Sequence, residues 1–243
     1  MKTYVAAMVL GAAIAVALNS SVIHAQNRDA GKSATPPPIA YKPPMRGAPT
    51  TRVGGGTRSA GTVLALNVLA PVETGFTLQE KPTIYWYVSQ PVKDPVELTL
   101  NNMASLKDAA TPVLEITLQP PIAKGIHALR LADHGITLKP GVEYQWFVAV
   151  VRNPAQRSND VVAGGTIKRV TDGDAVRDRV RQTAQAQWPA VYAEAGIWYD
   201  AIDQLSKQIG ANAANRELRE QRAALLEQVG LREAASFDRG AGS

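Results

Sequence analysis

From Thr62 onward the chain alternates short β-branched and aromatic runs with turn residues, the pattern of strands that bury one face and wet the other. Seven such runs stand out: Thr62–Leu69, Thr83–Ser89, Val96–Asn101, Val113–Leu118, Gly125–Leu131, Val142–Arg152 and Gly165–Val170. Pro71, Pro82, Pro95, Pro112, Pro120, Pro121 and Pro140 fall between the runs or at their entrances, where a missing backbone N–H costs no ladder bond. Strands of this length and spacing predict an all-β sandwich over residues 61–170. After Val170 the apolar period lengthens from two to about 3.6. Asp172 or Asp174 is placed to cap a helix carrying Val176, Val180 and Ala184, and Pro189 suits the first turn of another carrying Val191, Tyr192 and Ala195. Gly196 breaks that helix. Trp198, Ile202, Leu205 and Ile209 make the next apolar face, and Leu218, Leu225 and Val229 the last, with Gly230 as its stop. Residues 171–243 therefore read as a small helical tail.

The start of the chain has a different pattern. Lys2 precedes an apolar run from Tyr4 to Leu18 of about 15 residues, short of the roughly 20 that a spanning helix needs. A polar stretch follows and ends at the small Ala25. This is the layout of a signal peptide over residues 1–25, with a mature chain starting near Gln26; an uncleaved anchor is the other reading of the same run. No later apolar run is long enough to cross a bilayer, so no transmembrane span is expected after cleavage. Residues 26–60, with Pro36, Pro37, Pro38, Pro43, Pro44, Pro49 and Gly54-Gly55-Gly56, read as a disordered basic linker: extended where prolines dominate, hinged at the glycines. The expected location is the bacterial envelope, periplasmic or secreted.

Charge changes the picture only once it is divided along the chain. The whole sequence carries a net charge of +5, but residues 61–243 hold 19 basic against 20 acidic side chains. The excess lies in the leader and linker, so a nucleic-acid partner, which needs a basic folded surface, is excluded. The chain has no cysteine, which removes disulfides, thiolate metal sites, thiol nucleophiles and a lipid on an N-terminal cysteine. The fold rests on its core.

Three resemblances add to this reading. Leu138-Lys139-Pro140-Gly141-Val142-Glu143-Tyr144 resembles the corner before the sixth strand of fibronectin type III domains. That likeness implies an immunoglobulin- or fibronectin-III-like sandwich, with Tyr144 closing the corner, Leu138 plugging the core and Trp86 buried on an early strand. Tyr192-Ala193-Glu194-Ala195-Gly196-Ile197-Trp198-Tyr199-Asp200-Ala201-Ile202 resembles the helix junction of a single tetratricopeptide repeat, a unit that needs a neighbour to cover its apolar face. The mature chain as a whole resembles an exported bacterial family described only as a domain of unknown function, number 928. That likeness rests on Gly54-Gly55-Gly56-Thr57-Arg58, Pro82 to Val88, Ala195 to Ala201, and Leu225 to Leu231. It implies a layout and no activity.

Candidate chemistry is sparse, and no catalytic residue, metal or cofactor is expected. His127 falls mid-strand and His134 in the turn Ala132-Asp133-His134-Gly135, and a zinc site would need further converging ligands. Gly56 to Thr62 lacks the lysine of a phosphate-binding loop, and Thr171-Asp172-Gly173-Asp174 does not continue into a calcium loop. The candidates for recognition are aromatic and basic. Tyr85 and Tyr87 share one strand face opposite Trp86, Trp198 and Tyr199 diverge by about 100° around a helix, and Arg177 and Arg181 lend the first tail helix a basic side. The leading expectation is a non-enzymatic interaction or assembly protein whose partner is another envelope protein. A glycan- or cell-wall-binding module using Tyr85 and Tyr87 is the alternative. A hydrolase built on non-local carboxylates ranks third, because paired carboxylates meet in space and no pair is nominated.

Overall fold

A computed structural model describes residues 39–44, 52–53, 55–56, 64–104 and 112–240. The expected signal peptide and its cleavage position, and the rest of the 26–60 stretch, lie outside the described residues. Among the described residues nine strands are seen: β1 (Gly55–Gly56), β2 (Ala65–Val68), β3 (Gly75–Thr77), β4 (Thr83–Val88), β5 (Val96–Asn102), β6 (Leu114–Leu118), β7 (Gly125–Arg130), β8 (Glu143–Val150) and β9 (Val161–Arg169). They form two sheets, one in the order β1-β2-β4-β7 and one in the order β3-β9-β8-β5-β6. All neighbours are antiparallel except β3 and β9, which run parallel.

Each of the seven expected runs contains a strand, and alternation is what made them visible. On β8, Tyr144, Trp146, Val148 and Val150 are buried while the residues between them are half-exposed. Val96, Leu98 and Leu100 repeat the pattern on β5. The two short strands β1 and β3 were not expected, because a Gly-Gly pair and a three-residue segment carry no readable period. The strand β9 begins four residues ahead of the expected Gly165. Two adjacent glycines suggest a loop, but here they mark close approach. A Cβ on Gly164 would lie 2.5 Å from the Phe147 ring, and one on Gly165 would lie 2.7 Å from the Ala70 side chain in the segment after β2.

In the corner before β8 the Lys139 N–H donates to the Tyr144 hydroxyl at 3.1 Å, Leu138 is fully buried, and Gly141 takes a φ of 72°. Trp86 is buried too, stacked on His127 at 4.5 Å.

Five helices follow: α1 (Asp174–Arg181), α2 (Trp188–Glu194), α3 (Trp198–Ala211), α4 (Arg216–Gln228) and α5 (Arg232–Gly240). Neither Asp172 nor Asp174 caps α1. Gly173 is the N-cap and Asp174 lies inside the first turn, paired with Arg177 at 2.9 Å. The reason is steric, since a Cβ on Gly173 would fall 2.2 Å from Leu78. Pro189 does sit in the first turn of α2, and Asn215 caps α4 by accepting from the Leu218 N–H at 3.2 Å. Gly230 is a stop only for α4; α5, with little more than Ala234, Ala235 and Phe237 as its apolar side, was not expected.

Part of the presumed linker is packed rather than loose. The Lys42 N–H donates to Ala193 O at 3.1 Å, Tyr41 sets its ring edge-on to Trp198 at 4.8 Å, and Gln228 bonds both Ile39 O and the Tyr41 N–H. Arg52 donates from one nitrogen to Ala70 O and Val229 O.

Candidate functional site

The face of β4 that carries Tyr85 and Tyr87 decides where recognition can occur. All six residues of β4 are buried, so both of its faces are covered. Val68, the ladder partner of Trp86, faces Gly165 of the other sheet, which puts Trp86 on the inner side. The helical tail covers the opposite side. Tyr85, 8 % exposed, donates its hydroxyl to Asp203 of α3 at 2.9 Å, and Lys207 reaches the other oxygen of that carboxylate at 2.6 Å. Burial, with Asp203 beside it, raises the Tyr85 phenol well above its ordinary pKa.

The start of α3 is anchored by the pair expected to diverge. The Trp198 indole N–H donates to Leu69 O at 2.8 Å. Tyr199 accepts from the Trp146 indole N–H at 2.9 Å and donates to Thr166 O at 2.9 Å, so both capacities of its hydroxyl are used. Gly75 leaves room for this ring, because a Cβ there would lie 2.6 Å from Tyr199. Beside it Asp200 accepts from the Leu78 N–H at 3.1 Å and the Gln79 amide at 3.2 Å. Burial pushes the Asp200 carboxyl up to about 6, against the hydrogen bonds from Thr77, Leu78 and Gln79 that favour its ionised form; Asp203 adds to the rise.

These contacts correct the expected interaction surface. Tyr85, Tyr87, Trp198 and Tyr199 are all buried, because the tail docks on its own sheet and uses them as its seam. Arg177 and Arg181 remain on the outer side of α1, paired within the helix to Asp174 and Asp178, which offsets much of the basic character read from the sequence. His127 has Nε2 2.8 Å from Ala123 O. Among the described residues no group of three or more His, Asp or Glu side chains converges as a metal site.

A cleft of about 620 Å³ lies between the end of β4 and α5. Tyr87 and Phe237 form its floor, with ring centroids 5.5 Å apart and planes tilted by 46°. Gly125 admits the Phe237 ring, since a Cβ there would be 3.2 Å from it. Ser89, Ser236, Lys124 and Arg232 line the walls, and Lys124 Nζ stands 5.9 Å from the Phe237 ring centre. Glu233 is the carboxylate of the lining, and with burial it raises the Tyr87 phenol pKa. Cations, hydroxyls and ring surface are the groups that hold a polar ligand. Sequence reasoning reached Tyr87 but missed Lys124, Arg232, Ser236 and Phe237. The last three lie on the unexpected helix, where the aromatic among small residues was the one available signal.

The chain matches the family described as Domain of Unknown Function (DUF928) over residues 53–238, and it belongs to that family. The matched span runs through both sheets and on to α5, so the helical tail is part of the family's own unit. No curated protein matches the chain. Among the described residues no helix is long and apolar enough to cross a membrane.

Proposed function

We propose that this family member is an exported, non-enzymatic interaction or assembly module of the bacterial envelope, resident in the periplasm or secreted. The observation that carries the reading is the seam. The aromatic and carboxylate side chains of β4 and α3 are spent on joining tail to sheet, and the open cleft beside α5 offers a partner ring surface, hydroxyls and cations. Export is supported by the Lys2, Tyr4–Leu18 and Ala25 pattern. The buried carboxylates of α3, Asp200 and Asp203, are each held by structural donors, which favours recognition over hydrolysis. The test is to incubate the purified mature chain with glycans, peptides and esters. The expected result is no turnover; turnover lost on replacing one acidic residue would overturn the reading.

A second reading, a glycan or cell-wall ligand, is favoured by one observation: the cleft floor offers ring surface flanked by hydroxyls and cations. Calorimetric titration with soluble wall fragments tests it. Saturable binding is expected to weaken at least tenfold on Phe237→Ala, whereas binding unaffected by Phe237→Ala and Lys124→Glu together would remove the cleft from consideration. Tyr85→Ala and Tyr87→Ala are poor probes, because both cut into the seam.

A further inference from the structure

The sheet edges are not treated alike. The β3 edge is occupied by the tail: the Leu78 N–H just beyond it donates to Asp200, and Tyr199 backs Gly75. The end of β7 at Gly125 lies under Phe237 of α5. The strand β6, at the other edge of its sheet, has β5 as its ladder partner among the described residues. An open edge presents a row of N–H and C=O groups that can pair with another strand, and proteins usually guard it with lysine, proline or a bulge. Along Leu114-Glu115-Ile116-Thr117-Leu118 the one charge is Glu115 and there is no lysine and no proline, and the register with β5 runs unbroken from Leu100↔Leu114 to Val96↔Leu118. The prolines stand outside, at Pro112 and Pro120.

We infer that β6 is a self-pairing edge: two copies of this chain join antiparallel through Leu114–Leu118, about a two-fold axis at Ile116. The residues of the strand select both the occupant and the register. Centred on Ile116, all five residues pair. Leu114 meets Leu118 of the second copy, Ile116 meets its equivalent, and the half-buried apolar trio of each copy gains an apolar neighbour. Glu115, exposed on the outer face, then faces Thr117 of the second copy. Moving the axis to Glu115 would set two carboxylates opposite each other, which is destabilising. Within its own sheet Thr117 lies opposite Glu97, and Glu97 is engaged by Arg157 at 2.5 Å. The inference rests on strand geometry and is independent of export and of the cleft.

A five-residue pairing is small against the surface that permanent dimers bury, so the dimer is a concentration-dependent one. Sedimentation of the mature chain from micromolar to millimolar concentration, with melting curves of each variant to confirm folding, tests the proposal. A monomer–dimer equilibrium is expected. Because one substitution appears twice across a two-fold axis, Thr117→Glu weakens association about tenfold and Thr117→Lys strengthens it, and Glu115→Lys combined with Thr117→Glu restores it. A chain monomeric throughout, a dimer indifferent to charge at position 117, or a β6 edge that instead takes an extended segment of another protein would each overturn it. Any of these leaves the cleft and its ligand tests untouched.

Discussion

Two buried aspartates hold two seams by different means. Asp200 joins the tail to the sheet, and its partners are neutral: the Leu78 N–H and the Gln79 amide. Asp238 joins α5 to α4, and its partner is a cation, the Arg222 guanidinium, which donates from two nitrogens at 2.7 and 2.6 Å while also reaching Ser206. Neutral donors do not fully repay the desolvation of a carboxylate, so the Asp200 proton is held up to about 6. A bidentate cation compensates the charge directly. The tail is therefore joined to the sheet through a carboxyl whose pKa is raised to about 6, and its two last helices are joined by a bidentate ion pair.

The sharpest way to break this contrast is to remove the cation. Arg222→Ala leaves the buried Asp238 with the longer Arg219 contact at 3.9 Å in place of its bidentate partner and should cost about 3 kcal/mol in denaturant unfolding; Arg222→Met with Asp238→Leu should recover most of that. On the other seam, Tyr199→Phe removes the hydroxyl between Trp146 and Thr166 and should cost about 2 kcal/mol, chiefly because the buried Trp146 indole N–H loses its acceptor. The pH contrast is tested by Asp200→Asn. A carboxyl whose folded pKa is raised from 3.8 to about 6 contributes stability that is fully present below about pH 4 and is lost as pH rises through about 6. The difference between variant and parent should therefore move in favour of the variant between about pH 4 and 7, by on the order of 1–2 kcal/mol. An unchanged difference would mean that Asp200 does not titrate there. The smallest effect belongs to α1, where Arg177→Ala or Arg181→Ala should change stability by less than about 0.5 kcal/mol.

The same contrast shows what was legible in the sequence. Strands with one wet face announced themselves, and so did the helices with broad apolar stripes. The β4 run was legible as a strand, yet its continuous burial comes from α3 and α5, whose positions depend on residues over a hundred places later in the chain. Arg222 and Asp238 look like surface charges, because only the folded hairpin brings them together. Arg52 reads as part of a solvated linker, although its guanidinium is partly buried against Ala70 O and Val229 O and burial lowers its pKa. The roles of Gly164, Gly165 and Gly173 lie in the side chains pressed against them, which no local pattern shows. Local period reports what a segment can become; cover and close approach are decided at long range.

The bonds that tie the early segment to the last helices also set a schedule. Gln228 holds the Tyr41 N–H across 187 positions and Ile39 O across 189, and Arg52 holds Val229 O across 177. Closing loops of that span is slow, and these contacts cannot form until nearly the whole chain is present. On the export reading, that delay is useful in itself: the early segment stays unfastened until the final helices have emerged.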